Sequence, residues 1–210
     1  PEHTERLLKQ VEEESAVRYS DQQRHAIRSA AGSGVLIITG GPGTGKTTSI
    51  NLIIRLMRQM GEVELCAPTG RAAKRMSEAC GMEAKTLHRL LEYGGEEGAF
   101  ARNQDCPIEA DVVIVDEVSM VDLMLMRSLL RAIEPGTRLI LVGDADQLPS
   151  VGPGNLFSDL IRSEVVPTVR LTEIFRQAAQ SAIVRNAHMV NHGEVPDLRR
   201  NDNDFFFLIR

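Results

Sequence analysis

"GGPGTGKT" at residues 40–47 stands directly behind "VLIIT" (35–39) and ahead of "TSINLIIRLM" (48–57). The run before it is apolar, β-branched and of strand length, whereas the run after it reads as a helix. Gly40-x-x-x-x-Gly45-Lys46-Thr47 between such elements is the pattern of a phosphate-binding loop. Gly41, Gly43 and Gly45 let successive backbone N–H groups turn toward an anion, and Pro42, Thr44 and Thr48 complete the cradle at a helix N-terminus whose dipole favours negative charge. Lys46 is expected to reach the β- and γ-phosphates of a nucleoside triphosphate, and the Thr47 hydroxyl to ligate magnesium.

Working outward, "EVELCAPT" (62–69), "DVVIVDE" (111–117) and "RLILVGD" (138–144) are further short apolar runs, with helical segments between the first pair of runs and the last. Strands this apolar suit a parallel sheet covered on both faces. The expected fold is therefore α/β, a P-loop NTPase domain with a doubly wound, mostly parallel sheet, helices on both faces and ligands at the carboxyl ends of its strands. A helix is expected from the Ser20 N-cap, and residues 1–19 read as an amphipathic lead-in carrying Leu7, Leu8 and Val11.

A triphosphatase needs a carboxylate on a neighbouring strand. "VVIVDEVSM" (112–120) supplies Asp116 for the metal, with Glu117 beside it to polarise the attacking water. "LVGDADQLPSVGPG" (141–154) ends another apolar strand, where Gln147 can contact both the γ-phosphate and the water; its Pro- and Gly-rich continuation makes a rigid loop. Residues 92–109 leave the pattern, as a short hairpin with Phe100 on one arm or as a surface loop. Residues 179–210 turn helical and end in "NDFFFLIR", which reads as a buried strand.

No apolar run approaches the roughly 18 residues that a membrane-spanning helix needs. Cys66, Cys80 and Cys106 form no metal-binding spacing and suit a reducing, cytoplasmic compartment. The net charge of −5 argues against a broadly basic nucleic-acid binder, so any such contact must come from a local cationic groove.

The order of "SDQQRHAI" (20–27), the phosphate loop, "APTGRAAKRM" (67–76), "KTLHRLL" (85–91), "VVIVDEVSM", "LVGDADQLPSVGPG" and "LTEIFRQA" (171–178) resembles the first motor domain of superfamily 1 helicases. The Leu-Pro-Ser-Val-Gly continuation after Gln147 is similar to the RecD-like (RecD/TraA) group, which moves 5′ to 3′ on single-stranded DNA. The resemblance covers residues 20–178 and implies ATP with Mg2+ as the cofactors. It implies that Gln23 reads the adenine edge and that Arg176 contacts the γ-phosphate, although an exposed Arg opening a helix reads the same way. It also implies single-stranded DNA contacts from Thr69, Gly70 and Arg71, with Lys74 and Arg75 adding cation density, and from Thr86 and His88. Residues 92–109 lie where RecD-like enzymes carry a small strand-separating pin.

The second motor domain of the family is missing from these residues, and "NDFFFLIR" resembles its opening. The expected function is ATP hydrolysis driving DNA unwinding in a longer protein, with protein partners in a repair or recombination complex. A P-loop switch that never moves on nucleic acid shares the phosphate loop, and the helicase part of a conjugative relaxase shares every motif. His3, His25, His188 and His192 carry no expected role.

Overall fold

The computed structural model describes residues 2–15, 18–94, 99–175, 179–196 and 204–206. Two helices lead in. α1 (Glu2–Ser15) buries Leu7, Leu8 and Val11, and Arg24 of the next helix ion-pairs with Glu12 at 2.6 Å. α2 (Asp21–Gly32) starts at the expected Ser20 cap, in a capping box: Ser20 Oγ accepts from Gln23 N, and the Gln23 side chain accepts from Ser20 N.

The core alternates strand and helix. β1 (Val35–Gly40) leads through the phosphate loop to α3 (Lys46–Met57), β2 (Val63–Ala67) to α4 (Gly70–Cys80), and β3 (Ala84–Thr86) to the short α5 (Leu87–Leu90). β6 (Val112–Val115) and β7 (Arg138–Gly143) flank α6 (Leu123–Ala132), and α7 (Leu156–Ser163) precedes β8 (Thr168–Leu171). The sheet is parallel in every pairing and runs β3-β2-β6-β7-β1-β8. The four apolar runs are its four inner strands. The two edges, β3 and β8, lie outside those runs.

Successive side chains on each inner strand point to opposite faces. Leu36, Ile38, Leu65, Ile114 and Ile140 pack with α1 to α4, whereas Ile37, Cys66, Val113, Val115 and Leu141 pack with α5 to α7. Both faces are covered, as a parallel sheet requires. The chain from β1 passes over β7 and β6 to reach β2, so the loops after β1 and β6 leave the sheet on opposite sides of β7. Their carboxyl ends form the crevice where doubly wound folds bind ligands.

The excursion contains an antiparallel pair, β4 (Tyr93–Gly94) and β5 (Ala99–Phe100), with Tyr93 opposite Phe100; residues 95–98 lie outside the described residues. α8 (Ala182–Asn191) follows, and Asp204 folds back on its start, accepting from Ser181 Oγ and Ala182 N. Of the expected terminal strand, residues 204–206 are not in strand conformation and Phe206 is exposed; residues 207–210 lie outside the described residues. No helix among the described residues is long and apolar enough to cross a membrane.

Candidate nucleotide site

The phosphate loop is built so tightly that Gly40 and Gly45 cannot be replaced in place. A Cβ on Gly40 would lie 2.5 Å from Thr44 Oγ1 and 2.8 Å from Leu171 O. Gly45 has φ +81°, in the left-handed region, and a Cβ there would meet the Phe175 ring at 2.4 Å. Gly45 also caps α3, and no side chain closes that helix's first turn. Thr44 Oγ1 donates to Gly41 O, and Ser49 Oγ, fully buried, donates to Gly45 O, which fixes the loop from beneath.

Lys46 Nζ donates to Gly40 O at 2.5 Å and to Gly41 O at 2.9 Å. Burial holds its ammonium below the ordinary lysine range, against the opposing pull of Asp144, Asp116 and Glu117. Those carboxylates, Lys46, Thr47 and Gln147 line one cavity of about 1010 Å³ at the carboxyl edge of the sheet. Gly43, Thr44, Gly45 and the exposed Thr48 lie outside the cavity lining.

Asp116 and Glu117 follow β6. Burial raises the Asp116 carboxyl above its ordinary range, partly offset by the hydrogen bond its Oδ1 accepts from Glu117 N at 2.8 Å. Glu117 has φ 54° and ψ 40°, a left-handed conformation that costs an ordinary residue about 1–2 kcal/mol. Its Oε1 lies 2.9 Å from Arg75 Nη2 on α4. Gln147 is exposed beyond β7, and its Oε1 accepts from Ser119 Oγ at 3.3 Å.

The expected adenine contact also lies outside the cavity lining. Gln23 is 1% exposed, its Oε1 engaged by Ser20 N and its Nε2 donating to Gly45 O at 3.4 Å. The side chain braces the loop from behind, and the S-x-x-Q spacing of a capping box was the local signal for that placement. Arg176 lies outside the described residues. Three residues were missed. Asp144, 5% exposed, and Asp146 line the cavity from within the motif that gave Gln147. His188 on α8 packs its ring against Gly41, with Nε2 3.2 Å from Pro42 O. Nothing local in the sequence marks a contact spanning that many residues.

At the same sheet edge, Ala67 of β2 pairs with Thr86 of β3, which sets the next two helix starts side by side. Thr69 caps α4 by accepting from Ala72 N, and Thr86 caps α5 by accepting from Arg89 N. Gly70, Arg71, Lys74 and Arg75 are exposed on α4. The exposed His88 ring contacts Tyr93 edge-on at 5.5 Å and Phe100 at 5.7 Å, joining α5 to the base of the β4–β5 pair.

The site suits a magnesium-bound triphosphate. The loop leaves a helix start without its own cap, an ammonium faces the same cavity, and the oxygens of Thr47 and Asp116 are the hard donors that magnesium takes while keeping most of its waters. Among the described residues no cluster of three or more His, Cys, Asp or Glu could hold a metal alone.

Fold and loop together define the class, an α/β P-loop NTPase domain. The AAA domain family matches residues 18–205, and the chain belongs to that family as a RecD-like motor domain of helicase superfamily 1. An ATP-dependent RecD2 DNA helicase of Deinococcus radiodurans is 46% identical over 178 residues, covering 84% of this chain and 24% of that protein. The RecBCD enzyme subunit RecD of Mycobacterium tuberculosis is 43% identical over 166 residues, 67% of this chain and 28% of that protein. Among solved structures, the Pif1 helicase from Candida albicans aligns with a TM-score of 0.62 at 27% identity, over 86% of this chain and 46% of that one. The chain spans about a quarter of the length of the two curated relatives.

Proposed function

We propose that this chain is the first of two RecA-like motor domains in a longer, cytoplasmic ATP-dependent DNA helicase that moves 5′ to 3′ on single-stranded DNA. One observation carries the reading: Lys46, Thr47, Asp116, Glu117 and Gln147 share a cavity at the sheet edge where the helices begun by Thr69 and Thr86 also start. Residues 20–178 are the ATPase domain, with 92–109 as a small pin or loop insertion, and 179–210 lead toward the second motor domain. Protein partners in a repair or recombination complex follow from likeness to RecD of RecBCD.

In the proposed chemistry the loop N–H groups and Lys46 hold the β- and γ-phosphates. Thr47 and Asp116 hold magnesium, which when bound screens phosphate charge. Glu117 accepts a proton from the water that attacks the γ-phosphorus, and the β–γ bridging oxygen leaves with ADP. Gln147 senses the γ-phosphate and passes its presence to the loop at 148–154. Arg176, by family resemblance, adds positive charge at the γ-phosphate. Gln23 acts from behind the loop, through Gly45.

The test is the ATPase rate of the full-length protein with and without single-stranded DNA, at fixed magnesium and salt. Strong stimulation that disappears in Lys46→Ala is the expected result. A rate indifferent to DNA would move the assignment to a nucleotide switch.

A further inference from the structure

The Arg75–Glu117 ion pair joins the two proposed functions of this domain. Arg75 lies on α4, four residues and one helical turn beyond Arg71, so both point along the face that begins at Thr69. α4 has no acidic residue in its first turn, and Arg71 forms no ion pair among the described residues. Lys74 pairs loosely with Glu78 at 3.9 Å, both highly exposed. Arg75 is the cation of this face that turns inward, to Glu117.

Both backbones are fixed. Ala72, Ala73 and Met76 anchor α4 in the core, and Glu117 is held by its N–H bond to Asp116 and by its carbonyl, which accepts from Met120 N. The side chains are less constrained at one end. The Arg75 side chain is 65% exposed, whereas that of Glu117 is 20% exposed and lines the nucleotide cavity. A long cation within reach of solvent therefore grips a sheltered carboxylate. A carboxylate oxygen engaged by a guanidinium has less of its lone pairs left for water.

We propose that Arg75 is a positioning residue that holds the Glu117 carboxylate away from the attacking water until a DNA phosphate at the start of α4 draws the guanidinium off. Two anions compete for one guanidinium, so DNA shifts the balance by binding the released arginine better than the paired one. By linkage, releasing Glu117 from the pair must tighten DNA binding by the same factor. This rests on the helicase reading above.

The experiment uses the full-length protein. Loss of the pair in Arg75→Ala raises the DNA-free kcat roughly two- to fivefold, the scale of a partly exposed ion pair expressed as a rate. KM for ATP and the kcat at saturating DNA stay near wild type, and Arg75→Lys, which keeps the charge, restores most of the restraint. A second measurement needs no hydrolysis. With nucleotide absent, Glu117→Gln tightens single-stranded DNA binding about threefold or more at fixed salt, and the same substitution in the Arg75→Ala background changes nothing.

An unchanged or lowered DNA-free kcat in Arg75→Ala overturns the proposal. So does a Glu117→Gln effect on DNA affinity that is the same with and without Arg75, because that is a long-range charge effect only. If wild type shows DNA-stimulated hydrolysis that Lys46→Ala abolishes, these results sink the restraint alone. If wild type lacks that stimulation, the helicase reading falls and takes the restraint with it.

Discussion

The helix after β1 and the helices after β2 and β3 begin at one edge of the sheet, yet they begin differently. α3 starts at a left-handed glycine with no side-chain cap, whereas α4 and α5 start at threonines whose hydroxyls close their own first turns. A glycine in place of a capping side chain costs about a few tenths of a kcal/mol, and a left-handed Glu117 and a buried Asp116 add to that cost on the nucleotide side. The DNA side carries no such debt in its caps. The nucleotide crevice is thus left unsatisfied for a ligand to complete, while the proposed DNA edge is complete before anything binds.

Asp116→Asn probes the difference most severely. On the proposed mechanism it removes a metal oxygen charge and lowers kcat by roughly two to three orders of magnitude. Its effect on stability has the opposite sign. A carboxyl whose folded pKa is raised destabilises the fold above that pKa, and the cost is relieved as pH falls through it. Asn keeps the acceptor for Glu117 N and carries no charge, so nucleotide-free protein should melt higher than wild type at neutral pH, with the gain fading on acidification. Equal or lower melting at neutral pH breaks the claim that this side is strained.

Gly45→Ala is next in size. A Cβ at φ +81° is strained by about 1–2 kcal/mol whatever the space around it. Here it also meets Phe175 at 2.4 Å and Gln23 Nε2 at 2.6 Å. The fold should lose stability, and nucleotide should recover little of the loss, since the loop can no longer turn its N–H groups inward. Thermal melting with and without ATP analogue and magnesium measures both. A normal ligand-induced shift in Gly45→Ala contradicts the tight-loop account.

What was legible in the sequence follows the same physics. The inner strands announce themselves because two covered faces demand unbroken apolar runs: "VVIV" is buried at all four positions. The edge strands have no such signature. "AKT" buries one residue of three and "TVRL" two of four, and their neighbours supply the partners that make them strands. The phosphate loop is likewise legible locally, since Gly43 and Gly45 supply the positive φ that its turns take. The Arg75–Glu117 pair and the placement of His188 on Pro42 O depend on how separate segments pack, and spacing carries no trace of either. Gln23 is expected from the family resemblance as an adenine contact, and the S-x-x-Q spacing that engages its side chain in a capping box is a local signal passed over.

The smallest effects lie at Thr69, where cap and contact can be separated. Its Oγ1 accepts from Ala72 N, which uses a lone pair and leaves the O–H free to donate to a DNA phosphate. Thr69→Ser keeps both functions and should change neither melting nor single-stranded DNA affinity appreciably. Thr69→Ala loses both, with about 1 kcal/mol of stability gone and DNA binding weakened several-fold. Thr69→Asp keeps the cap but has no hydrogen to donate and adds a repelling charge, so melting stays near wild type while DNA affinity falls further than in Ala. A Thr69→Asp protein that melts normally and binds DNA normally would remove the hydroxyl from the DNA surface. The edge would then hold its two helices in place, and its cations would be left to meet the DNA.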